Sequence, residues 1–224
     1  MDYELAIIGG MGPLATDTLY RYITLHTKAE QDQDHINQII LSHANLPDRT
    51  SVILNHEEER FLEAIKTDFA LLNNFDLKAI AIPCNTSHYF YEEFSKFSHN
   101  KVLNMPELTV KAVQDRAKPL AILATKGTLS TKVYDKYAQK YGLEVLAIDA
   151  KDQAKLMEII YGIKANKRDY SKDLEKLIQR YEAKAQVILA CTELSTIELK
   201  NTSAVDALKV LGQACIRVCG KEFI

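Results

Sequence analysis

Apolar residues run along this chain in two rhythms. Short unbroken runs open "ELAIIGGMGP" (4–13) and "PLAILATKGT" (119–128) and also fill "KAIAIP" (78–83) and "AQVILACTEL" (185–194). Runs without alternation predict strands buried on both faces, the signature of a parallel sheet. "NQIILSHANLP" (37–47) and "LEVLAID" (143–149) read as further strands, the former with its exit loop. Between the runs the apolar positions recur every three or four residues. Leu14, Thr18, Leu19, Tyr22, Ile23 and Leu25 predict a helix over 14–30, and Phe61, Leu62, Ile65, Phe69 and Leu72 predict one over 60–75. Helices are also expected at 130–142, where Gly142 suits a C-terminal cap, and at 154–166, 172–184 and about 204–219. "NHEEER" (55–60) reads as a solvated helix start.

The order repeats. A buried strand runs into a loop of small residues, helices and a strand follow, and a last strand ends in cysteine with threonine close behind: "PCNT" (83–86) first, "ACTE" (190–193) second. Alternating strands and helices imply parallel sheets with right-handed crossovers. The expected fold is therefore α/β, with two pseudo-symmetric lobes, each a mostly parallel sheet flanked by helices, and an active-site cleft between them. The expected division puts residues 1–103 with 204–224 in a first lobe carrying Cys84, and 104–203 in a second carrying Cys191. Ligands bind at the carboxyl ends of such strands, so both cysteines would stand on opposite walls of one cleft.

Composition narrows the chemistry. With 224 residues, 47% of them apolar, the chain can bury its core without metals or disulfides. A formal charge of −2 and no basic run argue against nucleic acid. No apolar stretch approaches the roughly 20 residues of a membrane span. The N-terminal "MDYELAIIGG" carries acids where a signal peptide would carry bases, so a cytoplasmic location with reduced thiols is expected. The four cysteines show no C-x-x-C pair, and no histidine cluster joins them, so no metal site is expected. "GGMG" lacks the G-x-G-x-x-G spacing of a dinucleotide loop. Cys215 and Cys219, beside Ile216 and Val218, read as packing residues, and His88 as structural.

Two facing thiols suit one task well. Inverting a carbon centre needs a base on one face and an acid on the other, and a thiolate–thiol pair serves in both directions. A free thiol is only about 3% ionised at neutral pH, so the loop amides and helix N-termini after each strand must assist it.

At this point the chain resembles the cofactor-independent aspartate/glutamate racemases. The resemblance rests on "GGMGP" (9–13), "PDRT" (47–50), "PCNT" (83–86), "ATKGT" (124–128), "GIK" (162–164) and "ACTEL" (190–194), in that order, and covers nearly the whole chain. It implies no pyridoxal phosphate, a small-molecule substrate and Cys84 and Cys191 as the acid/base pair. It further implies Asn85, Thr86 and Thr192 as ligands of the α-carboxylate or amino group, Arg49 and Lys164 as cations for the side-chain carboxylate, and Met11 and Thr128 as cleft-lining residues. Glu193 has three roles open to it: assisting the thiol, holding the ammonium group, or pairing with a lobe residue. Glutamate racemases of cell-wall synthesis usually carry D-S-G and C-T-H. "GGMGP" and "CTE" place this chain on the aspartate side. The expected function is racemisation of aspartate and/or glutamate, with a homodimer as the default assembly. The competing readings are a single-cysteine relative, such as a maleate isomerase or arylmalonate decarboxylase, and an inactive ligand-binding paralogue.

Overall fold

A computed structural model describes residues 2–116, 118–200 and 202–224. Two parallel sheets form its framework. In the first, β1 (Leu5–Gly9) is central, β2 (Gln38–Ser42) pairs on one side and β3 (Ala79–Ala81) on the other. In the second, β4 (Leu120–Leu123) lies between β5 (Val145–Leu146) and β6 (Gln186–Leu189), and β7 (Val205–Asp206) adds beyond β6. The orders β2-β1-β3 and β5-β4-β6 correspond strand for strand. Cys84 and Cys191 therefore follow equivalent strands, β3 and β6, as the repeat predicts.

The unbroken apolar runs have their physical reason here. Along β1, Ala6 and Ile8 face one helical layer while Leu5 and Ile7 face the other, and all four are fully buried. Along β4, Ala121 and Leu123 divide from Leu120 and Ile122 in the same way. Each fully buried Leu or Ile contributes about 1.5–3 kcal/mol of transfer free energy, so both faces of each sheet demand helical cover. Among the described residues that cover comprises α1 (Pro13–His26), α2 (Arg49–Leu54), α3 (Glu58–Leu72), α4 (Tyr91–Phe97), α5 (Met105–Lys111), α6 (Lys126–Ser130), α7 (Val133–Lys140), α8 (Ala150–Lys164), α9 (Ser171–Glu182) and α10 (Ala207–Val218). None of them is long and apolar enough to cross a membrane.

α10 starts where Asp206 accepts the backbone N–H of Leu208 (2.9 Å), and packs Leu208, Leu211, Cys215 and Ile216 with Leu19 and Ile23 of α1. β7, just before it, stays in the second sheet. Cys215 and Cys219 are buried in this layer, as their apolar neighbours suggest.

Three details differ from the sequence expectations. α1 ends at His26, and its Leu14 and Leu25 are 56% and 61% exposed. Its buried stripe is Ala15, Thr16, Leu19 and Ile23, which keeps Leu19 and Ile23 of the predicted stripe but is turned about a quarter of the way round from it. The strand expected over 143–149 shrinks to two residues, because β5 is a sheet edge with partly exposed side chains.

Candidate active site

The loops leaving β1, β3, β4 and β6 converge at the carboxyl ends of their strands. Gly10 makes the first turn possible. Its φ of +85° is one that side chains avoid, and a Cβ there would stand 2.4 Å from the His43 backbone. Thr16 then accepts the Gly10 N–H at 2.9 Å, fixing "GGMGP" so that Met11 is buried in the cleft wall. Gly127 serves the opposite loop. A Cβ on it would lie 2.9 Å from Thr50 Cα, so its absence lets α2 and α6 close against each other.

Between these loops lies a cavity of about 20 Å³, the room of roughly one water. Both Cys84 and Cys191 line it, with Met11, Arg49, Asn85, Thr86, Lys164, Thr192 and Glu193. Nine of the ten residues singled out from sequence thus meet on one wall-to-wall space. The tenth, Thr128, is 1% exposed and stands behind it, its hydroxyl 2.8 Å from Thr86 Oγ1 and 3.1 Å from Thr125 Oγ1. Thr125 takes its place on the wall, and Asp48 and Thr50 join it; sequence reading passed over all three although "PDRT" and "ATKGT" contain them. Asp48 has a structural task as well, capping α2 by accepting the Ser51 N–H at 2.9 Å.

Cys84 sits in a braced turn. Its carbonyl accepts from Ser87 Oγ and from His88 Nδ1, both at 2.8 Å, while the other ring nitrogen of His88 faces the Leu103 carbonyl at 3.2 Å. Burial pulls the His88 pKa down, against the opposing pull of those two carbonyls. His88 holds the turn and does not line the cavity.

Cys191 is bonded differently. Its thiol donates to Glu193 Oε2 at 3.0 Å. Burial first, and the Glu193 carboxylate second, push this thiol well above the ordinary cysteine range. The other carboxylate oxygen of Glu193 lies 3.5 Å from Lys164 Nζ. Burial alone would lower the lysine pKa, but Glu193 and Cys191 outweigh it and the ammonium is held above its usual range. Behind this ion pair is a second cavity of about 200 Å³, walled by Pro13, Leu14, Ala15 and Ile163 and sharing Lys164 and Glu193 with the first.

Arg49 is 8% exposed and multiply held. Nη1 donates to the Pro47 carbonyl (3.1 Å) and the Leu46 carbonyl (3.5 Å), and Nη2 to the Met11 carbonyl (3.3 Å). Its Nε–H has no partner. Asn85 Nδ2 is also buried and unpartnered, and so, apart from the nearby ammonium, is Glu193 Oε1. Buried polar groups are normally satisfied. Two orphan donors and one orphan acceptor around one cavity are the complement of a carboxylate and an ammonium group. Among the described residues no cluster of three His, Cys, Asp or Glu forms a metal cage.

The lobes touch through side chains at this site. Thr192 Oγ1 donates to the Pro83 carbonyl at 3.1 Å, and Thr86 lies 3.0 Å from Thr125 hydroxyl to hydroxyl. Tyr134 of α7 donates to Asn85 Oδ1 at 2.5 Å.

Comparison with known proteins agrees with this geometry. The family model for Asp/Glu/hydantoin racemases matches residues 8–215. The broad specificity amino-acid racemase RacX of Bacillus subtilis (strain 168) is 29% identical over 200 residues, 86% of each chain. The solved aspartate racemase of Picrophilus torridus superposes with a TM-score of 0.88 at 28% identity, over 99% of this chain and 96% of that one. An aspartate racemase homologue from Pyrococcus horikoshii OT3 shares the fold, with a TM-score of 0.76 at 21% identity over 97% and 99% of the two chains. The family match spans both sheets and every loop of the cavity except the first residues of β1, and the chain therefore belongs to the Asp/Glu/hydantoin racemase family and is an amino-acid racemase, an isomerase.

Proposed function

We propose that the enzyme interconverts the L and D forms of an acidic amino acid, aspartate or glutamate, by passing the α-proton between Cys84 and Cys191. The observation that carries this reading is the cavity itself. Two cysteines on equivalent strand ends share it with orphan Arg49 Nε, Asn85 Nδ2 and Glu193 Oε1. In the reaction one cysteine, as thiolate, takes the α-proton. The electron pair left on Cα delocalises into the α-carboxylate, and the opposite thiol donates its proton to the other face. Substrate inverts, thiol and thiolate exchange roles, and no cofactor enters the balance.

The remaining groups supply charge and orientation. Asn85, Thr86 and Thr192 hold the α-carboxylate, whose negative charge grows as the proton leaves, and fixed donors stabilise that charge most. Glu193 holds the ammonium through Oε1 and serves Cys191 through Oε2, taking the thiol proton when Cys191 must act as base. Arg49 and Lys164 select the side-chain carboxylate. The cleft closes between a lobe of 1–103 with α10 and a lobe of 104–203 with β7, which excludes water from the thiols. The broad specificity of the Bacillus subtilis relative makes the acidic preference the point to measure.

The test is proton exchange in deuterated buffer. Deuterium should enter the α-position of aspartate or glutamate as the enantiomer forms, and enter alanine, serine and asparagine far more slowly. No exchange into any amino acid would end the two-thiol reading, and equal rates across the panel would end the acidic preference.

A further inference from the structure

We propose that Tyr134 is a positioning residue: from the second lobe it turns the Asn85 amide so that Nδ2, not Oδ1, faces the substrate carboxylate. The inference rests on the reading of Asn85 as a carboxylate ligand and adds a residue that touches neither substrate nor cavity.

Three observations meet at Asn85. The Tyr134 hydroxyl donates to Oδ1 at 2.5 Å, Nδ2 is buried without a partner, and Asn85 lies on the cavity wall while Tyr134 does not. An amide presents two donors at one end and an acceptor at the other, and its two ends have nearly the same shape, so packing alone does not choose between them. The choice matters because a carboxylate only accepts. Oδ1 facing the substrate would set two acceptors against each other in a buried site, which is costlier than a missing bond. A hydroxyl that donates to Oδ1 breaks the symmetry.

Tyr134 is suited to that task. It is 2% exposed on α7, and burial holds its phenol above the ordinary tyrosine range, so it stays a donor. Asn85 follows β3 of the opposite sheet. The bond therefore exists only while the lobes are together, and closure itself sets the amide. An open enzyme presents a freely turning Asn85, and a closed one presents a donor. Phenylalanine at 134 would keep the ring and remove the hydroxyl, which also lies beside Thr109, so the cycle with Asn85 isolates the part that acts through the amide.

The experiment is a double-mutant cycle on kcat/KM for racemisation of aspartate and glutamate. Tyr134→Phe in the otherwise natural chain should lower kcat/KM about tenfold, the worth of one buried hydrogen bond. The loss should be equal for both substrates, because the α-carboxylate is common to them. In an Asn85→Ala background the same change should cost nothing further, since there is no amide left to orient. A loss that repeats in full on Asn85→Ala would show Tyr134 to be a packing residue and overturn the proposal; so would no loss in the natural background. Should Tyr134→Phe fail to fold, Asn85→Asp decides, because it keeps the Tyr134 acceptor and replaces only the inward donor. Between about tenfold and a hundredfold loss is expected, and full activity would mean that an acceptor already faces the cavity. A natural enzyme that exchanges no amino acid at all would instead refute the function proposed above, a result distinct from any of these.

Discussion

Removing the Lys164 charge should destabilise the folded enzyme, and removing its partner as well should restore much of the loss. Two unit charges 3.5 Å apart attract by about 5 kcal/mol at the effective dielectric of about 20 that describes protein sites. Desolvation already consumes part of that. The Glu193 side chain is only 9% exposed and the lysine side chain 29%, so Lys164→Met strands a buried carboxylate with modest access to water. Breaking a buried pair costs about 3–5 kcal/mol; the partial exposure of the lysine brings the expectation to about 2–3 kcal/mol. Urea denaturation at pH 7 reads this as a midpoint lower by about 1 M. Lys164→Met with Glu193→Gln should recover more than half, because neither charge then remains buried alone. The pH dependence has a fixed sign. The folded-state pKa of Lys164 is raised above its unfolded value, so the stabilisation is complete below the free-lysine value near 10.4 and fades as pH rises through the folded one. The gap between natural enzyme and Lys164→Met should thus hold steady from pH 7 to about 10 and narrow above. A single variant as stable as the natural chain, or a double variant no better than the single, would refute this account of the pair.

Cys84→Ser and Cys191→Ser should each abolish racemisation, yet each should still exchange the α-proton of the one enantiomer facing its surviving thiol, opposite for the two; unaltered turnover in either would remove that cysteine from the chemistry. Arg49→Lys should lose much of the rate on acidic substrates and Arg49→Ala nearly all, because lysine cannot hold the Pro47 and Met11 carbonyls and still offer a donor in the guanidinium plane. Unimpaired variants would leave Arg49 as a brace for its loop alone. Glu193→Gln removes one of the two causes that push the Cys191 thiol upward, so the rise in exchange rate that depends on its thiolate should move to lower pH, with a lower plateau if the carboxylate also takes the proton. A move to higher pH would contradict the assigned polarity.

What the sequence could convey followed from how each element is stabilised. β1 and β4 were legible because both faces are buried and their residues are uniformly apolar. α2, α5 and α6 were not, being five to seven residues long, too short for a period to register. Their signal lies instead in the caps Asp48, Asn104 and Thr125, each accepting a backbone N–H three residues on. α1 misled because its buried stripe uses Ala15 and Thr16, while two of its leucines face water. The cysteines were legible through the repeat. Tyr134 and Thr50 owe their places to contacts between segments far apart in the chain, which no local pattern encodes.

A cavity with room for one water cannot admit an amino acid as it stands, and this makes affinity a matter of populations. If substrate enters only when the lobes part, the apparent dissociation constant is the intrinsic one divided by the open fraction. If one molecule in about a hundred is open, the measured binding is about a hundredfold weaker than the site's own grip. The bonds that hold the empty lobes together, Thr192 to the Pro83 carbonyl among them, then act as competitors of the substrate. Thr192→Val should accordingly bring substrate on faster and slow turnover at saturation, so that the enzyme spends part of its cohesion on waiting shut.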